Sequence, residues 1–164
     1  MKTASQRRAN RPVAAVRTRE RGETLVEHAF VIVFLLTVIF SIFDFGRAMY
    51  TYHFVSNIAR EATRWASVRG ASCAGLSGGC PADGTNVQTF ASNIPAGMGL
   101  DPKKITATTN WIAPPNNSPA CVANSKNPGC VVQVSVTYPY KFFLPFMPST
   151  TMTMTSTSQM VISQ

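Results

Sequence analysis

The hydrophobic pattern of the chain changes character twice. From Ala29 to Phe43 no residue is charged: AFVIVFLLTVIFSIF. As a helix these 15 residues reach about 22 Å, short of a bilayer core of about 30 Å. Extending the run to Leu25 and Phe45 gives 21 residues and about 31 Å, enough to span. The extension takes in Glu27, His28 and Asp44. His28 and Asp44 fall near the ends, at the wet headgroup level. A carboxylate at Glu27 is costly beside the apolar boundary and calls for a partner.

The helical signal continues past the apolar run. Between Asp44 and Arg69 there is no proline, and the only glycine is Gly46. Phe45, Met49, Tyr52, Val55, Ala59, Ala62 and Ala66 recur at steps of three and four, the period of one helical face. Arg60, Glu61 and Arg64 have the spacing of ion pairs on a solvated face. Gly70 is a natural C-cap. One helix is therefore predicted from Leu25 to Arg69, about 68 Å long. Its first half is apolar all round and its second half is amphipathic, the form of a stem that both anchors a head and packs in bundles or filaments.

After Gly70 the chain turns rich in Ser, Gly, Pro, Asn and Thr. Thr85-Asn86-Val87-Gln88 fits a capping box opening a short helix to about Asn93, ahead of Pro95. Ile105–Ile112 alternates, with Ile105, Ala107, Thr109 and Trp111 on one face. Val131–Tyr138 does the same with Val132, Val134, Val136 and Tyr138. Thr151–Ser163 puts Met152, Met154, Met160 and Ile162 on one side and a ladder of threonines on the other. Three strands and a small helix are marginal alone, so packing on the amphipathic half of the stem is needed to complete a core. The predicted class is α+β: a long N-terminal helix against a small antiparallel sheet. Phe142–Pro148 is the most apolar stretch outside the stem. It reads either as a strand connection folded over the core or as a contact patch.

Composition sharpens this picture in two places. Only 13% of residues are charged against 45% hydrophobic, which suits a chain partly in lipid and argues against a disordered polyelectrolyte. The net charge of +8 is concentrated: residues 1–22 hold seven basic residues and Glu20, leaving +2 for the remainder. The basic excess thus belongs to an N-terminal arm, not to a groove for nucleic acid. Basic residues ahead of the span keep that end cytoplasmic and send the rest across. A cleaved export signal is the competing reading, but Asp44-Phe45-Gly46-Arg47 stands where a small-residue cleavage site belongs.

All four cysteines lie beyond the span, as fits disulfides in an oxidising compartment. Three connectivities are open. Cys73–Cys80 and Cys121–Cys130 are favoured because each closes a short loop with no other evident tether. A zinc site is the sharper alternative, but no C-x-x-C pair exists and neither histidine is near. Asp44-Phe45-Gly46 matches a kinase metal triplet without its companions, and no nucleophile triad, Walker loop or dinucleotide fingerprint appears. No enzyme activity, cofactor or metal is expected.

Just before the apolar run stands Arg21-Gly22-Glu23-Thr24-Leu25-Val26-Glu27. This resembles a type IV prepilin processing site, with a basic leader, glycine at the cut and glutamate at the fifth mature position. The stretch from Arg21 to Ala66 is similar to the N-terminal region of TadE-like proteins, the minor pilins or pseudopilins of tight-adherence (Tad/Flp) pili. The shared residues are Gly22, Val26-Glu27, Ala29, the apolar run, Phe45-Gly46-Arg47-Ala48, Tyr50, Ala59-Arg60-Glu61 and Arg64. The chain departs from that pattern at His28, Val33, Asp44 and Ala62.

The resemblance implies a membrane-inserted subunit assisting assembly of an adhesive pilus. Its partners would be other pilins, the assembly machinery and a prepilin peptidase that cuts between Gly22 and Glu23. Glu27 would meet a neighbouring subunit's amine. The implied layout is a cytoplasmic leader over 1–22, a transmembrane helix over 23–45, an amphipathic extension over 46–70 and an exported head over 71–164. The location would be the bacterial inner membrane, with the head periplasmic and the subunit available to the pilus. The alternative is a single-pass envelope protein that anchors a periplasmic binding head unrelated to pili.

Overall fold

The computed structural model describes residues 17–76, 78–95, 99–113, 121–143 and 151–163. Most of the basic leader, and residues 144–148 of the apolar Phe142–Pro148 stretch, lie outside them. The first helix, α1, spans Arg17–Ser67. It starts eight residues before the predicted Leu25 because nothing between Arg17 and Glu23 breaks a helix except Gly22. One interior glycine costs only about 1 kcal/mol.

The chain divides into two units, Met1–Ile42 and Phe43–Gln164. In the first, the side chains from Gly22 to Ile42 are exposed apart from the half-buried Thr37. An 18-residue window of the helix reaches a mean hydropathy of 2.5, long and apolar enough to cross a membrane. Its hydroxyls are satisfied internally. Thr37 Oγ1 donates to Val33 O and Ser41 Oγ to Thr37 O, both at 2.8 Å, as lipid requires of any polar group.

The second unit holds the remainder of α1, a short helix α2 (Gly84–Asn93) and three strands: β1 (Thr106–Ile112), β2 (Val131–Lys141) and β3 (Thr151–Val161). The sheet is antiparallel in the order β1-β2-β3. Its register runs from Thr106 opposite Thr137 to Ile112 opposite Val131, and from Val131 opposite Val161 to Lys141 opposite Thr151. Strand periodicity sends Val132, Val134 and Val136 to one face, where all three are fully buried. Against them pack Val55, Ile58, Ala59, Ala62 and Ala66 of α1, Val87 and Ala91 of α2, Ile105, Ala107 and Ile162. The alanines present a smooth helix face to this cluster and are themselves fully or almost fully buried. This is the α+β arrangement expected from the sequence, with the helix on the sheet supplying the core.

Several local expectations are corrected. Helix α1 ends at Ser67, and Gly70 does not adopt the left-handed cap conformation. The last carbonyls find tertiary and side-chain donors instead: Ser163 N–H bonds Ser67 O at 2.9 Å, and Arg69 Nη1 bonds Trp65 O at 3.4 Å. The N-cap of α2 is Asp83, whose carboxylate accepts from Asn86 N at 2.7 Å, rather than Thr85. Gln88, predicted to close a capping box, reaches across to Ile105 O and Ala107 N, tying α2 to the start of β1. Arg60, Glu61 and Arg64 are exposed, but no ion pair joins them among the described residues.

Strand β2 runs on past Tyr138 through Pro139. Strand β1 ends its pairing at Thr137, so the proline interrupts no ladder on that side. On β3 only Met154 of the three expected methionines is buried. Met152 and Met160 are exposed, and Ser156 and Ser158 occupy the middle of that face. The serines leave room for α1, whose Thr63 hydroxyl reaches Ser158 O at 3.4 Å.

Candidate functional site

Two clusters on α1 carry candidate chemistry. The first comprises Gly22, Glu23 and Glu27, all exposed. Glu23 and Glu27 stand four residues apart and share a helical face. Glu27 makes no ion pair among the described residues, and a side chain at Gly22 would meet nothing within 4 Å. The neighbouring His28 is turned back to its own helix, with Nδ1 2.8 Å from Thr24 O. Nothing converges here in the manner of a catalytic pocket. The cluster is an exposed helical face whose Glu27 carboxylate makes no ion pair among the described residues.

The cysteines are joined as Cys73–Cys80 and Cys121–Cys130, with Cα separations of 5.9 and 5.4 Å. The second disulfide belongs to the core, with Cys130 fully buried. Among the described residues no group of histidine, cysteine or carboxylate side chains could hold a metal ion.

The second cluster was missed from the sequence, which placed Asp44 at a wet membrane boundary. Asp44 is only 4% exposed. Its Oδ1 accepts from the Tyr140 hydroxyl at 2.8 Å and its Oδ2 from Phe143 N at 3.1 Å. The Tyr140 hydroxyl also lies 3.1 Å from Asp44 O, and Arg47 stands 3.8 Å from Oδ1. The carboxylate therefore pins the end of β2 to the helix. A readable signal existed: Asp44, Thr51, Val55, Ile58 and Ala62 fall on one stripe at steps of three, four and seven, and all are buried. The stripe chosen from hydrophobicity, Phe45, Met49 and Tyr52, is 43–68% exposed. Its apolar side chains face outward beyond the span, where the unit itself makes no use of them.

Burial, then the hydrogen bond and charge of Asp44, push the Tyr140 hydroxyl up from 10 to about 12, with Arg47 opposing. The folded state thus holds this proton more tightly than the unfolded chain. Stability from this group is complete below pH 10 and falls as pH rises through 10 to about 12. The loss is on the order of 2 kcal/mol. Chemical unfolding of wild type and Tyr140→Phe across that range checks this. The wild type should lose stability more steeply than the variant, and parallel curves would refute the assignment.

Among curated proteins none matches the chain, and no solved structure does. A family model does match, and it covers the apolar part of α1 together with the whole of the buried stripe that carries Asp44. That model is described as TadE-like protein, and it matches residues 22–64 of this chain.

Proposed function

We propose that this chain is a TadE-like minor pilin, a membrane-inserted subunit that assists assembly of a Tad-type adhesive pilus. The observation that carries the reading is the placement of Gly22 and Glu27 on an exposed run of helix inside the TadE-like segment. In this reading a prepilin peptidase cuts after Gly22 on the cytoplasmic side. The interior glycine lowers the cost of unwinding the helix into a protease cleft by about 0.5–1 kcal/mol. The mature chain then begins at Glu23 and loses the basic leader. The helix packs beside those of other pilins, and Glu27 accepts the new amine of a neighbour. The outward stripe of Phe45, Met49 and Tyr52 extends that packing surface past the bilayer. No group acts catalytically, and no cofactor enters.

Intact-mass analysis and N-terminal sequencing of the protein from peptidase-positive cells test this. A chain starting at Glu23 is expected, with partial cutting for Gly22→Ala and none for Gly22→Leu. An unshortened wild-type chain favours the envelope-anchor alternative. A cut beyond the apolar run would make the segment an export signal, and either result defeats the pilin reading.

A further inference from the structure

A cavity of about 340 Å³ opens beside α1, lined by Arg47, Tyr50 and Thr51 of the helix, Lys104, and Tyr138 to Lys141 at the end of β2. That size lies at the small end of ligand pockets, about 300–1,000 Å³. It fits a headgroup and not an acyl chain. Its floor is buried at Thr51 and Tyr140, and Arg47, Lys104 and Lys141 stand exposed around it. The lining holds three cations and no carboxylate. Asp44 and Asp101 approach two of them, at 3.8 and 3.4 Å. Asp44 directs both its oxygens to Tyr140 and Phe143, and Arg47 remains 60% exposed with donors to spare. Lys141 makes no ion pair among the described residues.

The position of the cavity along the chain bears on the class of ligand. Arg47 stands two residues after Phe45, where the spanning run ends. That is about 3 Å of helix, inside a headgroup layer of about 5–7 Å on each side of the hydrocarbon. Tyr50, Tyr138 and Tyr140 supply the aromatic rings common at that level. The backbone of Phe143 is tied to Asp44, one residue past Phe43, and its ring is 74% exposed. This exposed apolar side chain follows the lining segment Tyr138 to Lys141 by two residues. We propose that this cavity binds the phosphate of an anionic phospholipid in the leaflet on the head's side, Arg47, Lys104 and Lys141 meeting the phosphate. The proposal rests on the helix crossing the membrane, and not on the pilin assignment.

The test uses the full chain, solubilised from vesicles of equal phosphatidylglycerol and phosphatidylcholine, with retained lipid read by native mass spectrometry. Wild type should retain phosphatidylglycerol preferentially. The double variant Lys104→Gln/Lys141→Gln should lower that preference by up to about 25-fold, near fivefold for each charge removed. Lys126→Gln removes one charge elsewhere, over the ring of Trp111, and should leave the preference unchanged. Equal retention of the two lipids by wild type would overturn the proposal, as would a loss in Lys126→Gln matching that of the double variant. Displacement by inorganic phosphate at the lipid's own concentration would overturn the lipid assignment in favour of a soluble anion. Carbonate extraction of the same membranes reports the span separately. A protein that resists extraction yet shows no lipid preference refutes the cavity alone, and a protein released by carbonate refutes the span on which it rests.

Discussion

Glu27→Gln is expected to reduce recovery of partner pilins by a hundredfold or more while membrane insertion survives or improves. Glu27 is exposed on α1 at the edge of the apolar run and has no ion-pair partner among the described residues. A carboxylate there is expensive in lipid unless something neutralises it. On the pilin proposal, the cation available in an assembled bundle is the amine freed by cutting after Gly22. Two charges that pair in a desolvated interface each depend on the other. Removing one costs about 3–5 kcal/mol, and each 1.4 kcal/mol is tenfold in affinity. Glutamine keeps the size and the hydrogen-bonding capacity of the side chain, so the change isolates charge. A pull-down of wild type and variant, matched for membrane level, measures the effect. Equal recovery would place Glu27 against water and remove the assembly mechanism.

The second large effect is expected at Asp44. Asp44→Ala removes the carboxylate that accepts from the Tyr140 hydroxyl and the Phe143 amide, leaving the hydroxyl only the backbone oxygen of residue 44 at 3.1 Å. A hydrogen bond to a charged group contributes about 1.5–3 kcal/mol, and the amide of the exposed Phe143 can turn to water, so a loss of about 2 kcal/mol is expected. For a unit of this size the melting temperature should fall by roughly 8 °C. Tyr140→Phe alone should cost about 1 kcal/mol. In the double variant Asp44→Ala/Tyr140→Phe the hydroxyl has already lost its bond to the carboxylate, so the second change should cost less than it does in wild type. Thermal unfolding of the full chain in detergent reads all three. Strict additivity would show that carboxylate and phenol do not act as a pair.

The same carboxylate marks the limit of what the sequence discloses. The strands were legible because Val132, Val134 and Val136 alternate with polar residues, and a period of two has one structural meaning. The long helix was legible because an uncharged run and a run of alanines at steps of three and four share one period. The resemblance at Gly22, Val26-Glu27 and Phe45-Gly46-Arg47-Ala48 and the family match fall on the same segment. What failed was the choice of face between residues 44 and 52. Hydrophobicity favoured Phe45, Met49 and Tyr52, but the interior there is made by a hydrogen-bonded aspartate, and a buried acid cannot be told from a surface acid until its donors are known. Those donors lie 96 and 99 positions away in the chain. Met152 and Met160 failed for a related reason. Alternation assigned them correctly to the inward side of β3, yet α1 covers only part of that side. Gly70 looked like a cap by type, whereas the helix end is closed by Ser163, a partner that local sequence cannot reveal.

That closure has a consequence for the order in which the molecule can form. Ser67 and Ser163 are separated by 96 positions, and Ile162 fills the core beside them. A chain emerging N-terminus first, from a ribosome or a translocation channel, cannot cap α1 or seat β3 until residue 163 is out. The cysteine loops face no such delay, since they join residues only 7 and 9 apart. Short loops close at small entropic cost and long-range contacts come late. Oxidation at Cys73–Cys80 and Cys121–Cys130 can therefore be finished while the sheet is still open. The head is then held as two small tethered loops on an unfinished scaffold, and the final strand decides when it becomes a folded body.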